Sequence, residues 1–222
     1  AITPEPPGSL YLRPTLIGTE QNIGAAARPS NTALFYVLAS PVGQYFSGGA
    51  LRLAIETKLP RTTPQFGMVK TGANYAMALG VLNQAKATYN ADQVLFAPGG
   101  YVEETGAANF LVLADRTIIT PPLTDGYLHG VTRDTILTLA TDLGFEVEER
   151  PLSVSELLEL AAAPTTEVVL SGTAAIVAPV GTLIFEGTEL AVGGTEAGTR
   201  TTQIRDLVTR LQQGLADRPE GW

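Results

Sequence analysis

A run of 24 residues with a single charge most constrains how this chain can fold. From Thr62 to Ala85 only Lys70 carries a formal charge, and its neighbours are small, apolar or uncharged polar residues. Such a run favours burial, but an ammonium group is rarely buried without a partner. The pattern therefore predicts one of two arrangements. Either Lys70 lies at the edge of the fold with its head in water, or it is a partly buried amine that reacts as a nucleophile.

Composition excludes several other kinds of chemistry. The 222 residues are 45% hydrophobic and 16% charged, which is typical of a globular protein, and no apolar run approaches the roughly 20 residues of a membrane helix. The net charge of −8 argues against a nucleic-acid partner. The absence of cysteine excludes thiol nucleophiles and disulfides, and with His129 as the single histidine a His-rich metal site is impossible. Lysine chemistry remains, and we expect a reducing, cytoplasmic location.

Two regions of different character divide the chain. Residues 1–9 are rich in proline, and two strand-like runs follow at 10–17 and 33–39. Two strands alone form a marginal sheet, so this region needs partners that the sequence does not obviously supply. A loop rich in Gly, Pro and Ser covers residues 40–49. We place the domain boundary there, with residues 1–47 as the tail of a small domain and 48–222 as a large domain.

The large domain mixes strands and helices and is predicted to be α/β or α+β. Thr132 or Asp134 can cap a helix, and Ser153 with Glu156 forms a capping box for another. The strands are predicted at residues 51–56, 93–97, 109–113, 117–120, 145–150, 167–170, 175–180 and 183–185, and the helices at 74–87, 132–143, 153–161 and 199–216.

Four motifs resemble the pyridoxal-phosphate (PLP) enzymes of fold type IV, and among them the branched-chain amino-acid aminotransferases. They occur in the order of the family, and the likeness runs from Leu10 to Trp222. The motifs are Lys70-x-Gly72-x-Asn74-Tyr75, Glu104-x-Gly106-x-x-Asn109, Leu128-His129-Gly130-Val131-Thr132-Arg133 and Ser171-Gly172-Thr173-Ala174-Ala175. The resemblance implies the large domain of this fold, joined to the tail of its small N-terminal α/β domain.

The resemblance also implies which residues hold the cofactor ring. Lys70 would form the Schiff base and move the proton, and its uncharged flanks fit a dry pocket. Tyr75 would hydrogen-bond the phenolic oxygen of the ring, although a buried tyrosine bonded to backbone is the simpler alternative. Glu104 would keep the ring nitrogen protonated. Glu103 competes for that role, because adjacent strand residues face opposite sides, and only the spacing to Gly106 and Asn109 selects Glu104.

The cofactor phosphate would be held by backbone groups rather than by a basic cluster. The resemblance places Val131 and Thr132 at a helix start and Thr173 after a strand as its binding residues. Backbone N–H groups at a helix N-terminus bind anions, which is compatible with the acidic composition. Helix capping is the alternative role for Thr132, and an ordinary turn is the alternative for Thr173.

Substrate contacts are implied at four positions. Tyr11 and Arg13 match a Tyr-x-Arg-Pro motif that faces substrate carboxylates, and an arginine can grip a carboxylate by two parallel hydrogen bonds. A solvated strand arginine is the alternative. Tyr45 matches an aromatic residue that shapes the side-chain pocket, and Ala174 matches a backbone N–H near the α-carboxylate. His129 replaces the proline common in its turn and is assigned no chemistry.

The resemblance implies transamination between branched-chain L-amino acids and 2-oxoglutarate by a homodimer. Two rivals share the fold, D-amino-acid aminotransferase and aminodeoxychorismate lyase, and the Tyr11-x-Arg13-Pro14 motif and the Gly221-Trp222 ending argue against both. An inactive cofactor-domain fragment is a rival of another class. The family has a small N-terminal domain of which this sequence holds only residues 1–47, so we expect a cleaved or incomplete form of a longer transaminase.

Overall fold

A computed structural model describes residues 4, 8–21, 24, 28–43, 49–193 and 198–217. Contacts divide the chain into two compact units, Ala1–Ser47 and Gly48–Trp222. The division coincides with the boundary expected from the sequence. That the first unit is the tail of a longer domain stays a prediction.

The first unit is a two-stranded antiparallel hairpin. Strand β1 (Ser9–Gly18) pairs with β2 (Ala33–Val42) along its full length. The loop between them is fastened by Glu20, whose carboxylate accepts hydrogen bonds from the guanidinium of Arg28 and the backbone N–H of Asn31. Many of its large apolar side chains are exposed, Leu16 and Phe35 among them. Within the part of this unit that the structure describes, no third strand covers them.

The second unit is built on a mixed sheet of eight strands. Its strands are β3 (Leu51–Glu56), β4 (Gln93–Phe96), β5 (Asn109–Ala114), β6 (Thr117–Thr120), β7 (Glu146–Glu149), β8 (Glu167–Gly172), β9 (Ile176–Phe185) and β10 (Thr188–Ala191). Their order is β4-β3-β9-β8-β5-β6-β7, and β10 pairs with β9. The β4-β3, β3-β9 and β6-β7 pairs are parallel, and the others are antiparallel. The prediction of a mixed α/β fold is confirmed.

Four α-helices accompany this sheet in the described part of the second unit. They are α1 (Gly72–Tyr89), α2 (Val131–Ala140), α3 (Val154–Ala161) and α4 (Thr199–Gln212). The predicted cap of α3 is confirmed, because Ser153 Oγ accepts a hydrogen bond from the Glu156 N–H at 3.1 Å. Apolar residues of α2 and α4 meet the sheet in one core cluster. Among the described residues, no helix is long and apolar enough to cross a membrane.

Several predicted elements differ from the structure. The strands expected at 175–180 and 183–185 form one strand, β9, because its ladders with β3, β8 and β10 together span Ile176 to Phe185. The β3 ladder shifts register between Val180 and Thr182, where the predicted strands leave a gap. Strand β10 was not predicted, and it forms through a two-residue turn at Glu186 and Gly187, both with positive φ. Helix α2 ends at Ala140, and its N-cap is Gly130. Capping by Thr132 or Asp134 is therefore wrong, since no side chain caps this helix.

Candidate active site

Lys70 is held by the residues around the start of α1. A short 3-10 turn at Pro64–Phe66 leads into the segment that carries it. The buried side chain of Asn74, in the first turn of α1, donates hydrogen bonds to the carbonyls of Phe66 and Val69, each at 2.8 Å. These bonds satisfy two backbone acceptors that a loop would otherwise leave to water. Asn74 therefore fixes the loop that presents Lys70.

Lys70 and Tyr75 are in direct contact. Lys70 Nζ donates a hydrogen bond to Tyr75 Oη at 3.0 Å, and it lies 5.5 Å from the centroid of the ring. The expectation of a dry, buried setting is wrong for this chain, because Lys70 is exposed together with Met68 and Val69. The reason is local, since this segment runs along the surface of the unit while Asn74 takes the buried position. The edge arrangement, not the buried one, describes Lys70 here.

Glu104 is the buried carboxylate of the site, with 2% of its surface exposed. Its oxygens accept hydrogen bonds from Asn109 Nδ2 and from the backbone N–H of Leu128, each at 3.0 Å. Asn109 also donates to the Leu128 carbonyl at 2.8 Å. A tight turn closed by Thr105, whose hydroxyl bonds both the N–H and the carbonyl of Ala108, folds the chain back between Glu104 and Asn109. The five-residue spacing of the motif thus becomes a direct contact.

Arg61 joins Glu104 to Tyr75 and was not singled out from the sequence. Its Nη1 lies 2.8 Å from Glu104 Oε1, and both side chains are 3% exposed. Its guanidinium carbon lies 5.7 Å from the centroid of the Tyr75 ring. The one signal in the sequence is that Arg61 is the last charge before the uncharged run. A near-complete burial of arginine implies a partner, and that partner is Glu104.

Burial dominates the ionisation of Glu104. Burial is the largest cause, and together with the smaller effect of the Glu103 charge it raises the pKa of the carboxyl group from 4.5 to a net value of about 7. The charge of Arg61, the N–H of Leu128 and the charge of Lys70 act in the opposite direction but do not outweigh burial. Glu104 therefore titrates near neutral pH. A cation brought beside it would favour the ionised form.

Glu103 has a different environment. It is half-buried and lines a separate cleft of about 390 Å³ with Tyr101, Tyr127 and several prolines. Burial raises its pKa, and the charge of Arg61 opposes the rise. Backbone bonds of Glu103 and Glu104 to Phe96 fix this segment against β4. Of the two neighbours, Glu104 is the one grouped with Arg61 and Asn109.

The start of α2 presents free backbone donors. The first N–H groups of a helix have no intrahelical acceptor, and no side chain caps this one. Val131 is 79% exposed, whereas Thr132 is buried. Gly130 has no room for a side chain, because a Cβ there would overlap Asn109 Oδ1. This helix start is thus packed directly against the residue that holds Glu104.

The turn between β8 and β9 carries residues of the fourth family motif, Ser171-Gly172-Thr173-Ala174-Ala175. Thr173 and Ala174 are exposed in this turn. Ser171 pairs with Asn109 across the β8-β5 ladder, so both side chains lie on the same sheet face. Ser171 Oγ is buried, and among the described residues it has no hydrogen-bond partner. The ladder therefore places Ser171 of this motif opposite Asn109, which contacts Glu104.

The predicted substrate residues of the N-terminal region lie in the first unit or outside the described residues. Tyr11 and Arg13 belong to the first unit, where the guanidinium lies 5.2 Å from the tyrosine ring centroid. Tyr45 lies outside the described residues. His129 Nε2 lies 3.0 Å from the Thr124 carbonyl and is exposed. No group of His, Cys, Asp and Glu suited to a metal ion occurs among the residues that could be searched.

Comparison with known proteins gives a consistent result. A probable branched-chain-amino-acid aminotransferase of Streptomyces coelicolor is 41% identical over 222 residues, covering 96% of this chain and 60% of that protein. The crystal structure of the Escherichia coli branched-chain amino acid aminotransferase matches with 30% identity and a TM-score of 0.79, covering 96% of this chain and 69% of that one.

A third match is a crystal structure of a branched-chain amino acid aminotransferase complexed with N-(5'-phosphopyridoxyl)-L-glutamate. It has 28% identity and a TM-score of 0.79, and covers 96% of this chain and 68% of that one. The chain spans about three fifths of the length of the Streptomyces relative. A family model described as amino-transferase class IV matches residues 1–183. Because this match takes in well over half of the sequence, the chain belongs to the class IV amino-transferase family.

Proposed function

We propose that the chain carries the cofactor-binding part of a PLP-dependent aminotransferase. It would exchange amino groups between branched-chain L-amino acids (leucine, isoleucine, valine) and 2-oxoglutarate, giving branched 2-oxo acids and L-glutamate. One observation carries the proposal: the Lys70 amine bonds Tyr75 Oη, and the Tyr75 ring lies beside the buried Arg61–Glu104 pair. The family match and the names of the relatives support the choice of reaction.

The residues present fit PLP at three of its polar groups, the aldehyde, the ring nitrogen and the phosphate. Lys70 offers an accessible amine for its aldehyde. Glu104 offers a buried carboxyl group that titrates near neutrality and could pair with a ring nitrogen. At the start of α2 the N-cap residue is Gly130, and no side chain caps the helix, so its first backbone N–H groups are offered as donors for a phosphate. The hydroxyl of Ser171, which has no hydrogen-bond partner among the described residues, lies on the same sheet face as Asn109.

When bound, PLP supplies an electron sink for the carbanion formed at the substrate α-carbon. The chain contributes positioning and proton transfer. Tyr75 Oη holds Lys70 Nζ, the atom that would carry the transferred proton. Glu104 would hold a proton on the ring nitrogen, and the N–H groups of Val131 and Thr132, with the hydroxyl of Thr173, would hold the phosphate.

The substrate side is also a proposal. Tyr11 and Arg13 would face substrate carboxylates, Tyr45 would shape the side-chain pocket, and Ala174 would offer its N–H. The complex of a structural relative with a phosphopyridoxyl-glutamate adduct supports glutamate as a shared partner. We further propose a homodimer in the cytoplasm. These assignments rest on the resemblance.

Absorption spectroscopy tests the proposal. The chain is titrated with PLP, then with L-leucine, for the wild type, Lys70→Ala and the matched control Lys86→Ala, an exposed lysine near the end of α1. We expect a visible band in the wild type and in Lys86→Ala that leucine shifts, and its loss in Lys70→Ala. An equal band in all three would contradict the role of Lys70.

A panel of amino donors separates the rivals. Transfer from L-leucine but not from D-amino acids supports the proposed substrate class. Transfer from D-amino acids alone would favour a D-amino-acid aminotransferase, and a chain that captures PLP without any transfer would be an inactive cofactor-binding fragment.

A further inference from the structure

Arg61 is a buried cation with no assigned role in the proposed reaction. Nη1 of Arg61 lies 2.8 Å from Glu104 Oε1 and forms an ion pair with it. Among the described residues, however, neither Nε nor Nη1 has an acceptor placed at hydrogen-bonding geometry. We propose that Arg61 is a positioning residue, which favours the ionised form of the Glu104 carboxyl group and so makes it available to the protonated ring nitrogen of PLP. This inference rests on the proposed function, and it concerns how the site is prepared before the cofactor binds.

The hydrogen bonds that Glu104 accepts do not occupy all the acceptor positions of its carboxylate. An ionised carboxylate has about four acceptor positions. The described residues supply one directed N–H to each oxygen, from Leu128 to Oε1 and from Asn109 to Oε2. Arg61 adds charge beside Oε1 without a directed bond. It therefore stabilises the negative charge and leaves Oε2 with a position for a further donor.

Without Arg61, the groups around Glu104 favour its neutral form more strongly than they do with Arg61 present. Burial and Glu103 favour the neutral carboxyl group, and Lys70 opposes them as the remaining nearby cation. Tyr127 also faces this group, and burial raises its pKa to about 12, so it stays neutral. Removing Arg61 therefore leaves only the N–H of Leu128 and the charge of Lys70 against burial and a second carboxylate. Glu104 would then hold its proton at neutral pH, and a protonated carboxyl group is a poor partner for a cation.

The contact with Tyr75 explains why the cation is an arginine. Its planar guanidinium can lie over an aromatic ring while it faces a carboxylate, which an ammonium does less well. Arg61 thus touches both the tyrosine that holds Lys70 and the carboxylate that would hold the ring. A lysine at this position would restore the charge but not the stacking.

The first test measures Glu104 directly and needs no cofactor. The carboxyl carbon of Glu104 is followed by NMR against pH in the 222-residue wild type, Arg61→Met, Arg61→Lys and the exposed α4 control Arg210→Met. We expect a midpoint of about 7 in the wild type. Arg61→Met should raise it by about one pH unit or more, and Arg61→Lys should bring it most of the way back. A midpoint in Arg61→Met equal to that of Arg210→Met overturns the proposal.

A paired substitution covers the case in which Arg61→Met does not fold. Removing one partner of a buried ion pair leaves the other either charged without compensation or neutralised at a cost, whereas removing both does not. If Arg61 acts through Glu104, the double variant Arg61→Met with Glu104→Gln folds where the single variant fails. Failure of both variants to fold would show that Arg61 is needed for packing, which contradicts the proposal.

The last test separates this inference from the proposed function. Affinities are measured for PLP and for its analogue with carbon in place of the ring nitrogen. The wild type should prefer PLP by roughly tenfold or more, as one charge-assisted hydrogen bond allows, and Arg61→Met should lose most of this preference while it still binds the analogue. A wild type that binds neither compound contradicts the proposed function, and the NMR titration still decides the role of Arg61. An unchanged preference in Arg61→Met contradicts the inference alone.

Discussion

The two halves of the candidate site differ in how firmly the fold holds them. Lys70 lies on an exposed segment, and its described contact is one hydrogen bond to Tyr75. Glu104 is almost completely buried and has a donor on each oxygen as well as the charge of Arg61. A group that must react with a small molecule needs access, whereas a group that sets charge needs a fixed, dry setting. The contrast therefore matches the two roles proposed for these residues.

The largest effect on stability should come from the buried half. The raised pKa of Glu104 means that the native state binds a proton between pH 4.5 and about 7 that the unfolded chain releases. This contribution to the free energy of unfolding is complete below pH 4.5 and is lost as the pH rises through about 7. It amounts to about 3 kcal/mol. Chemical denaturation across this pH range should show the decline in the wild type.

Glu104→Gln is the matched control, because glutamine does not titrate. The variant leaves Arg61 without a charged partner at every pH, as the protonated carboxyl group of the wild type does at low pH. Its free energy of unfolding should decline less steeply from about pH 4.5 to about pH 7.5 than that of the wild type. Parallel curves for the two proteins would mean that Glu104 does not carry the proton.

A smaller effect is expected at the residue that supports the exposed half. Asn74→Ala removes two hydrogen bonds to the carbonyls of Phe66 and Val69 and should lower the free energy of unfolding by about 2 kcal/mol. The control is Asn83→Ala on the exposed side of the same helix. Its effect should be within about 0.5 kcal/mol of zero, because alanine is a better helix former and no burial is lost. Urea titration compares the two, and equal losses would contradict the supporting role of Asn74.

The smallest effect should be that of Lys70 itself. Lys70→Ala removes an exposed side chain with one described hydrogen bond, so the free energy of unfolding should change by no more than about 0.5 kcal/mol. The same variant should lose the PLP-dependent absorption band. A loss of stability comparable to that of Asn74→Ala would show that Lys70 is structural, and the contrast between the two halves would fail.

Much of the fold could be predicted from the sequence, because it depends on local patterns. Alternating and β-branched runs indicated most strands, and the capping box at Ser153 indicated the start of α3. Strand β10 was not predicted, because a run of four residues is too short to show an alternating pattern. It is stabilised by its pairing with β9. The end of α2 was placed too late for a similar reason. A turn closed by Gly144 at positive φ ends that helix, not a loss of apolar periodicity.

The site was predicted only in part. The motif residues Lys70, Tyr75, Glu104 and Asn109 were named in advance, and the structure groups them in two contacting pairs. Arg61 was not named, because nothing near it in the sequence shows that its partner lies 43 residues further on. The same holds for the N–H of Leu128, which reaches Glu104 from a loop 24 residues away.

The sequence by itself determined the mixed α/β class, the four family motifs and the chemical types that the site can use. Only the tertiary structure decided which groups are buried. Lys70 is exposed although its neighbours in sequence are uncharged, and Glu104 is buried although Glu103 beside it is only half-buried. The reason is that desolvation and charge pairing depend on whatever surrounds a group in space. For Glu104 those surroundings are Arg61, Asn109 and Leu128, which three separate segments of the chain supply.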